Sequence, residues 1–421
     1  MYCGLDFGTS NSLCTVELPT QSKEMKYISF GAEQLSEPSA VFYRQTHLDE
    51  PLFGREALDA YLAGQDGRLL RSFKRLLGTK YMASGTKLSS SKKLKFQNLF
   101  VSFIQHLKET AEQQVGQEIS QVVFGRPVKF SSLEIAHKSG EADLEKIANR
   151  IGYKHVEFQF EPIAAAFTHE RHLQSEKLAI VADIGGGTSD FSIVRLGPKR
   201  KDAIDRKDDI LANSGIAIGG TDFDSMLALR QVMNAFGYES EFGKKSLRVP
   251  NWPYVVASDW NRIALELYLP QTYFAMKKVL VEAKEKQKLK RFLKLMEERK
   301  AHYLLKLVEE AKIELSDKNS TEIKPHFIED DFGITVNREL FDLSLGDKLK
   351  LLVETINEAL SAAKIKGEDI DLIIMTGGAS AVPIIQKTFV DLFPNADLSG
   401  ENKMGSVCEG LLHDARRKFG N

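Results

Sequence analysis

The chain has 421 residues, enough for two or three domains or one large bilobed fold. Hydrophobic residues make up 43% and charged residues 27%, which excludes global disorder; 57 basic against 58 acidic residues leave a net charge of −1, which excludes a bulk field that would draw the chain to nucleic acid or a membrane surface. Cys3, Cys14 and Cys408 form no CxxC pair, so neither a disulfide framework nor a structural zinc site is expected, and the pattern suits a reducing, cytoplasmic setting.

In chain order, Tyr2-Cys3-Gly4-Leu5-Asp6-Phe7 enters directly into an apolar strand, with no basic and apolar leader, so no signal peptide is expected. No apolar run approaches the roughly 18 residues of a spanning helix. Ser84–Lys95, rich in Ser and Lys, reads as a loop. Val122–Val128, Leu178–Ile184, Phe191–Leu196 and Leu372–Met375 read as buried strands. Helical spacing links Leu144, Ile147, Ala148 and Ile151, then Leu349, Leu352, Val353 and Ile356, then Ile385, Thr388, Phe389 and Leu392. Strands interleaved with helices predict an α/β class.

Gly237–Pro253 reads as a connector into a helical insertion, and Ala275–Leu315, without Gly or Pro, as nearly continuous helix. Its first half carries Lys277, Lys278, Lys284, Lys286, Lys288, Lys290, Arg291 and Lys294. That run reads first as a solvated face and second as a docking surface for an acidic protein partner or client. Without interleaved aromatic residues it is not a nucleic-acid platform. His169-Glu170-Arg171-His172 falls one residue short of the HExxH zinc spacing and reads as the surface end of a helix.

The chemistry concentrates in a repeated turn. Leu5-Asp6-Phe7-Gly8-Thr9-Ser10-Asn11-Ser12 and Ala182-Asp183-Ile184-Gly185-Gly186-Gly187-Thr188-Ser189-Asp190 each place an Asp at the end of an apolar strand, then Gly and Thr/Ser, then a second strand. Glycines let backbone amides converge on an anion, and the hydroxyls add donors. An Asp beside a bound phosphate repels it unless Mg²⁺ lies between them. Two such hairpins face to face would clasp a triphosphate, with Mg²⁺ between Asp6 and Asp183.

Other nucleotide signatures are absent: the chain has no GxxxxGK[ST] and no GxGxxG. Thr376-Gly377-Gly378-Ala379-Ser380, followed by Pro383, reads as a strand, glycine turn and helix start suited to a phosphate or a nucleoside. Ile218-Gly219-Gly220-Thr221-Asp222 is a similar turn. Glu309, Lys312 and Ser316 share one helix face, either as a surface ion pair or as a polar face for ribose hydroxyls.

These residues together resemble the nucleotide-binding region of DnaK-type heat-shock chaperones. Gly4–Ser12 resembles the first phosphate loop and Asp183–Asp190 the second. Lys74-Arg75-Leu76-Leu77-Gly78 is similar to the segment with the catalytic lysine, and Glu161-Pro162-Ile163-Ala164-Ala165-Ala166 to the hinge segment. Ile218–Asp224 and Met375–Gly378 follow in order. In general look the chain resembles most the stand-alone, YegD-like members.

The resemblance implies the two-lobed fold of the actin/hexokinase/heat-shock ATPase superfamily, built from duplicated ribonuclease-H-like domains. Lobe I would take 1–173 and 400–421, with an inserted subdomain at about 36–97. Lobe II would take 174–399, with a helical insertion at about 227–335. It also implies ATP and ADP as ligands, Mg²⁺ as metal, and slow hydrolysis of ATP. Asp6 and Asp183 would orient the metal. Lys74, Glu161, Asp183, Thr188 and Asp190 would be catalytic. Gly8, Thr9, Ser10, Asn11, Gly185, Gly186, Gly187, Thr188, Gly219, Gly220, Asp222, Glu309, Lys312, Ser316, Gly377 and Gly378 would bind nucleotide.

The sequence departs from that pattern at the adenine face. Ile313 stands where the family has a base-stacking Arg, Ala379 and Ala381 replace a Ser and an Arg, and Met404 falls near a usual Asp. The chain reaches Asn421 with no linker or peptide-binding β-sandwich after the ATPase region, so a nucleotide-driven switch without its own client domain is expected. A nucleotide-binding regulator with negligible turnover, a small-molecule kinase of the same fold and a filament-forming actin-like protein remain alternatives.

Overall fold

Strand-forming and helix-forming segments alternate along the chain, and they assemble into two principal sheets built on one plan. The computed structural model describes all residues except 19–23, 32–33, 90–91, 129–133, 171–172, 201–202, 204, 400–404 and 421, and side chains other than those of 134–138 and 264–265. Met404, Arg171 and His172 therefore lie outside the described residues.

In the first sheet Tyr2–Phe7 pairs antiparallel with Asn11–Glu17, which pairs antiparallel with Met25–Tyr27. On its other side Tyr2–Phe7 runs parallel to Gln121–Arg126, and that strand parallel to His155–Phe160. The second sheet repeats this. Lys177–Ile184 pairs antiparallel with Ser189–Leu196, which pairs antiparallel with Ile210–Ile216. Lys177–Ile184 also runs parallel to Leu372–Thr376, which is parallel to Asp397–Leu398.

Parallel neighbours need long crossovers, and helices supply them in equivalent places. Glu134–Arg150 joins the two parallel strands of the first sheet, and Pro383–Leu392 those of the second. Phe96–Val115 and Gly346–Ala363 precede the first parallel strand of each pair. The chain is thus α/β, as its alternating patterns imply.

Side-chain alternation sorts the core. Cys3, Leu5 and Phe7 pack with Phe100, Phe103 and Leu107 beneath the first sheet. Ile180, Ala182 and Ile184 pack with the helical segments beyond the second. A third cluster joins both sheets: Val123 from one and Ala179, Val181 and Val194 from the other meet the helices Glu161–Glu170 and Ser406–Phe419. Those two helices approach very closely. A Cβ on Gly410 would lie 1.9 Å from the Ala164 carbonyl oxygen, so only glycine fits there. The Ser406–Phe419 helix also covers the first hairpin, where Thr15 Oγ1 donates to the Cys408 carbonyl at 2.9 Å.

Three local expectations are corrected. Ser84–Lys95 is not simply a loop: Gly85–Lys87 pairs with Lys93–Lys95. Ala275–Leu315 is not one helix but parts of three, Pro270–Glu282, Lys286–Glu297 and Ala301–Glu314. The first break comes from tertiary pairing. Lys284 N donates to Glu241 O at 2.9 Å and Gly243 N to Glu282 O at 3.0 Å, pulling Ala283 into extended backbone. The second is a Schellman turn with Arg299 at φ +53°, where Arg299 N bonds Met296 O at 3.2 Å and Lys300 N bonds Leu295 O at 3.1 Å.

Glu170, finally, is no surface residue. It is buried in a two-point contact with the buried Arg206, at 2.8 Å for each bond. Among the described residues no helix is long and apolar enough to cross a membrane.

Candidate functional site

The two hairpin turns occupy equivalent positions. In the first, Asp6 pairs with Leu13 and Phe7 with Ser12, so residues 8–11 bridge the strand ends. In the second, Asp183 pairs with Asp190 and Ile184 with Ser189, so residues 185–188 do the same. A Cβ on Gly8 would lie 2.1 Å from Asn11 O, which makes glycine obligatory in so tight a turn. The amides of Thr9, Ser10, Gly186, Gly187 and Thr188 make no hydrogen bond with any described residue. The turns meet each other: a Cβ on Gly186 would fall 2.1 Å from Ser10 Oγ.

Each turn is braced from behind. Ser39 Oγ donates to Gly8 O at 2.7 Å and its amide to Ser10 O at 2.8 Å. Gly220 N donates to Gly185 O at 2.9 Å, and the Thr221 amide and hydroxyl both donate to Gly186 O at 2.7 Å. Asp222 accepts from Gly219 N at 3.1 Å and from Lys348 at 3.2 Å. Gly219, Gly220 and Asp222 therefore hold the second turn in place and do not line the cavity in front of it.

That cavity measures about 720 Å³ and is walled by both turns, by Lys74, Arg75, Glu161, Asp183 and Asp190, and by Gly377 and Gly378. Lys74 Nζ lies 2.8 Å from Glu161 Oε1, with both residues buried. Lys74 is carried by Phe73, whose ring packs edge-on against Phe100 at 5.2 Å. Burial opposes the Lys74 charge, but Glu161, Asp6 and Asp183 outweigh it and hold its pKa above the ordinary value.

The carboxylates respond in the opposite sense. Burial, then Glu161, pushes Asp6 up to about 7 and Asp190 up to about 6. The same causes push Asp183 well above the usual carboxylate range. Arg75 Nη2 donates to Gly187 O at 2.7 Å and so ties the Lys74 segment to the second turn. Gly377 has φ +81°, and a Cβ there would lie 2.4 Å from Ile184 O and 2.8 Å from Asp183 Oδ1.

Five acids, Asp6, Glu161, Asp183, Asp190 and Glu358, against two cations, Lys74 and Arg75, leave this cavity short of positive charge. The donors are all oxygen, which fits a hard divalent cation such as Mg²⁺. Among the described residues no three acids, histidines or cysteines converge closely enough to cage an ion alone. A water-rich ion shared with phosphate oxygens matches that donor set.

Glu309, Lys312 and Ser316 are not in the cavity wall. Lys312 is buried in an ion pair with Asp224 at 2.7 Å and reaches Gly220 O at 3.4 Å. Burial, with Glu309 adding to it, raises Asp224 to about 6 despite that pair. Ile313 is 61% exposed and offers no polar group. Nearby, Arg71 lies over the Trp260 ring at 4.4 Å, and His302 accepts from Tyr61 OH at 3.0 Å while donating to Trp260 O at 3.0 Å.

Arg75, Ser39 and Asn213 touch the site without having been singled out by sequence. Only Arg75, adjacent to Lys74, carried a signal.

The chain matches the Hsp70 protein family over residues 2–245 and 276–410. It is 29% identical over 424 residues to a chaperone protein DnaK of Thermosipho melanesiensis, covering 97% of this chain and 59% of that one. It is 28% identical over 422 residues to that of Thermosipho africanus, covering 98% and 58%. A third similarity, 25% over 417 residues, is to chaperone protein dnaK of Cyanidioschyzon merolae, covering 92% and 57%. The chain thus spans under three-fifths of the length of these relatives. The match runs through both turns, the Lys74 segment and the Glu161 helix, and the chain belongs to the Hsp70 family.

Proposed function

We propose that the chain binds ATP with Mg²⁺ in the cavity between the turns and slowly hydrolyses it to ADP and phosphate. The observation that carries this is the pair of equivalent turns, in contact, with unpaired amides beside recessed carboxylates and one buried lysine. Amides of residues 8–11 and 185–188 hold phosphate oxygens. Asp6 and Asp183 would hold the metal, which supplies charge neutralisation on the phosphates. Lys74 stabilises charge developing on the terminal phosphate, Glu161 and Asp190 orient the attacking water, and the Thr188 hydroxyl positions the phosphoryl group. Such catalysis is mostly positioning and electrostatics.

The repeated sheet plan supports two lobes, 1–173 with 400–421 and 174–399, joined through the helices Glu161–Glu170 and Ser406–Phe419. Phosphate contacts from both lobes close the cleft, and loss of the terminal phosphate relaxes it. This makes the chain a nucleotide-driven switch of chaperone type, in keeping with the chaperone relatives. A protein partner would read the lobe angle through the helical insertion, where exposed Lys277, Lys278, Lys286 and Lys290 carry no ion pair with described residues while Lys284, Lys288 and Arg291 are paired with Glu241, Glu285 and Glu329. The commitment of Lys312 to Asp224 and the bare Ile313 favour a second reading, nucleotide binding with negligible turnover.

Calorimetry with Mg-ATP and a phosphate-release assay test the proposal. Parent protein binds and releases phosphate; Asp183→Asn lowers turnover by about 10²–10³-fold with an unchanged far-UV spectrum. Equal phosphate release from parent and variant would remove the site assignment, and binding without release would select the second reading.

A further inference from the structure

Behind the paired Asp183 and Asp190 lies a small void of about 10 Å³ that shares Pro127, Glu161, Asp183, Asp190 and Asn213 with the wall of the main cavity. Its polar wall is Glu161, Asp183, Asp190, Ser192 and Asn213, and the rest is apolar. That space is at the lower limit for one water, which needs roughly 10–15 Å³ and two to four polar partners.

Two groups in the wall lack such partners. Asn213 Nδ2 donates to Ser192 Oγ at 2.9 Å and to Phe191 O at 3.4 Å. A backbone carbonyl can only accept, so this contact fixes which end of the amide is the donor. Asn213 Oδ1 is then left without a donor among the described residues. Ser192 is 2% exposed. Its hydroxyl accepts from Asn213, and its own proton meets no acceptor among the described residues. An unused buried donor, on Ser192, and an unused acceptor on the half-buried Asn213, which also faces the main cavity, therefore border one water-sized void. A buried donor rarely stays unsatisfied, because its lost hydration is uncompensated.

We propose that this void holds one ordered water, accepting from Ser192 and donating to Asn213 Oδ1 and to a carboxylate of the Asp183–Asp190 pair, and that Asn213 is a positioning residue acting through it. The water extends a hydrogen-bonded chain from the acids of the site to the strand Ile210–Ile216. It fixes the carboxylates on the side away from the turns, where no side chain of the described residues does so directly. The water itself follows from geometry alone; its kinetic consequence rests on the reading of the main cavity as a triphosphate-hydrolysing site.

A high-resolution crystal structure of the full chain without nucleotide decides the first part. The expected result is density for one water within hydrogen-bond distance of Ser192 Oγ, Asn213 Oδ1 and one carboxylate oxygen; an empty void, or one closed by a side-chain shift, overturns the inference. For the second part, Asn213→Leu fills the void, and kcat for phosphate release falls about tenfold while KM for ATP moves less than about twofold. Asn213→Ser keeps an acceptor, leaves room for a second water and recovers most of that loss. An unchanged kcat, or a loss appearing wholly in KM, removes the positioning role. A parent chain that releases no phosphate refutes hydrolysis and leaves the water to be judged on its density.

Discussion

Lys74→Met isolates the electrostatics of the site from its chemistry. In the folded chain Lys74 lies 2.8 Å from Glu161, both are 9% exposed, and Asp6 and Asp183 add to the field that holds the lysine charged. Methionine keeps the length and apolar stem and removes the cation. Removing one member of a buried pair costs about 3–5 kcal/mol, because the remaining charge is uncompensated.

Here the lower end applies near pH 6. Asp6, raised to about 7, is largely protonated there, and burial raises Asp183 in the same sense, so fewer negative charges are left alone than at higher pH. We expect a loss of about 3 kcal/mol at that pH. The loss grows towards pH 8, as Asp6 ionises beside Glu161. The double variant Lys74→Met/Glu161→Gln replaces the pair by neutral side chains of similar size and should return to within about 1 kcal/mol of the parent. Urea unfolding followed by tryptophan fluorescence reads both differences. Phosphate release reads the chemistry, and neither variant should recover it. A single variant unfolding at the parent midpoint, or a double variant no more stable than the single, would refute the account of this pair.

Two further predictions concern packing and pH. Gly410→Ala drives a methyl group to within 1.9 Å of the Ala164 carbonyl, so the two linking helices must separate; the expected destabilisation is about 2 kcal/mol or more, read by the urea midpoint, and no change would mean that the helices are not held at this spacing. His302 is neutral in the fold because burial lowers its pKa from 6.5 to about 4. Between those values the unfolded chain takes up a proton that the folded chain refuses, so stability falls as pH drops, by on the order of 3 kcal/mol from this group alone. His302→Gln should therefore flatten the decline of melting temperature between pH 7 and pH 4.5, and a parallel decline in both proteins would disprove it.

Much of this architecture was legible from local pattern. Leu178–Ile184 and Phe191–Leu196 are mostly apolar, interrupted by Asp183 and by Ser192 and Arg195, because their strands are covered on both faces. The duplicated Asp-x-Gly turns showed in the sequence because tight backbone geometry demands glycine. What escaped was decided by distant partners. Nothing within Ala275–Leu315 marks the break at Ala283, which arises from pairing with Glu241 and Gly243. Nothing beside Glu170 marks its burial, which depends on Arg206. Gly219 and Gly220 share the composition of the phosphate turns, yet they stand one layer behind them. Lys312 matched by position but is engaged by Asp224, a partner brought near only by folding.

The helix Ser406–Phe419 lies against the opening hairpin, with Thr15 bonded to Cys408 across 393 positions of sequence. During synthesis the face of the first sheet that this helix covers therefore stays bare until the chain has been made through Phe419. The interval exposes apolar surface at a stage when the Lys177–Leu196 hairpin has already emerged and can begin to fold. Contacts of such long range also slow the search that completes them.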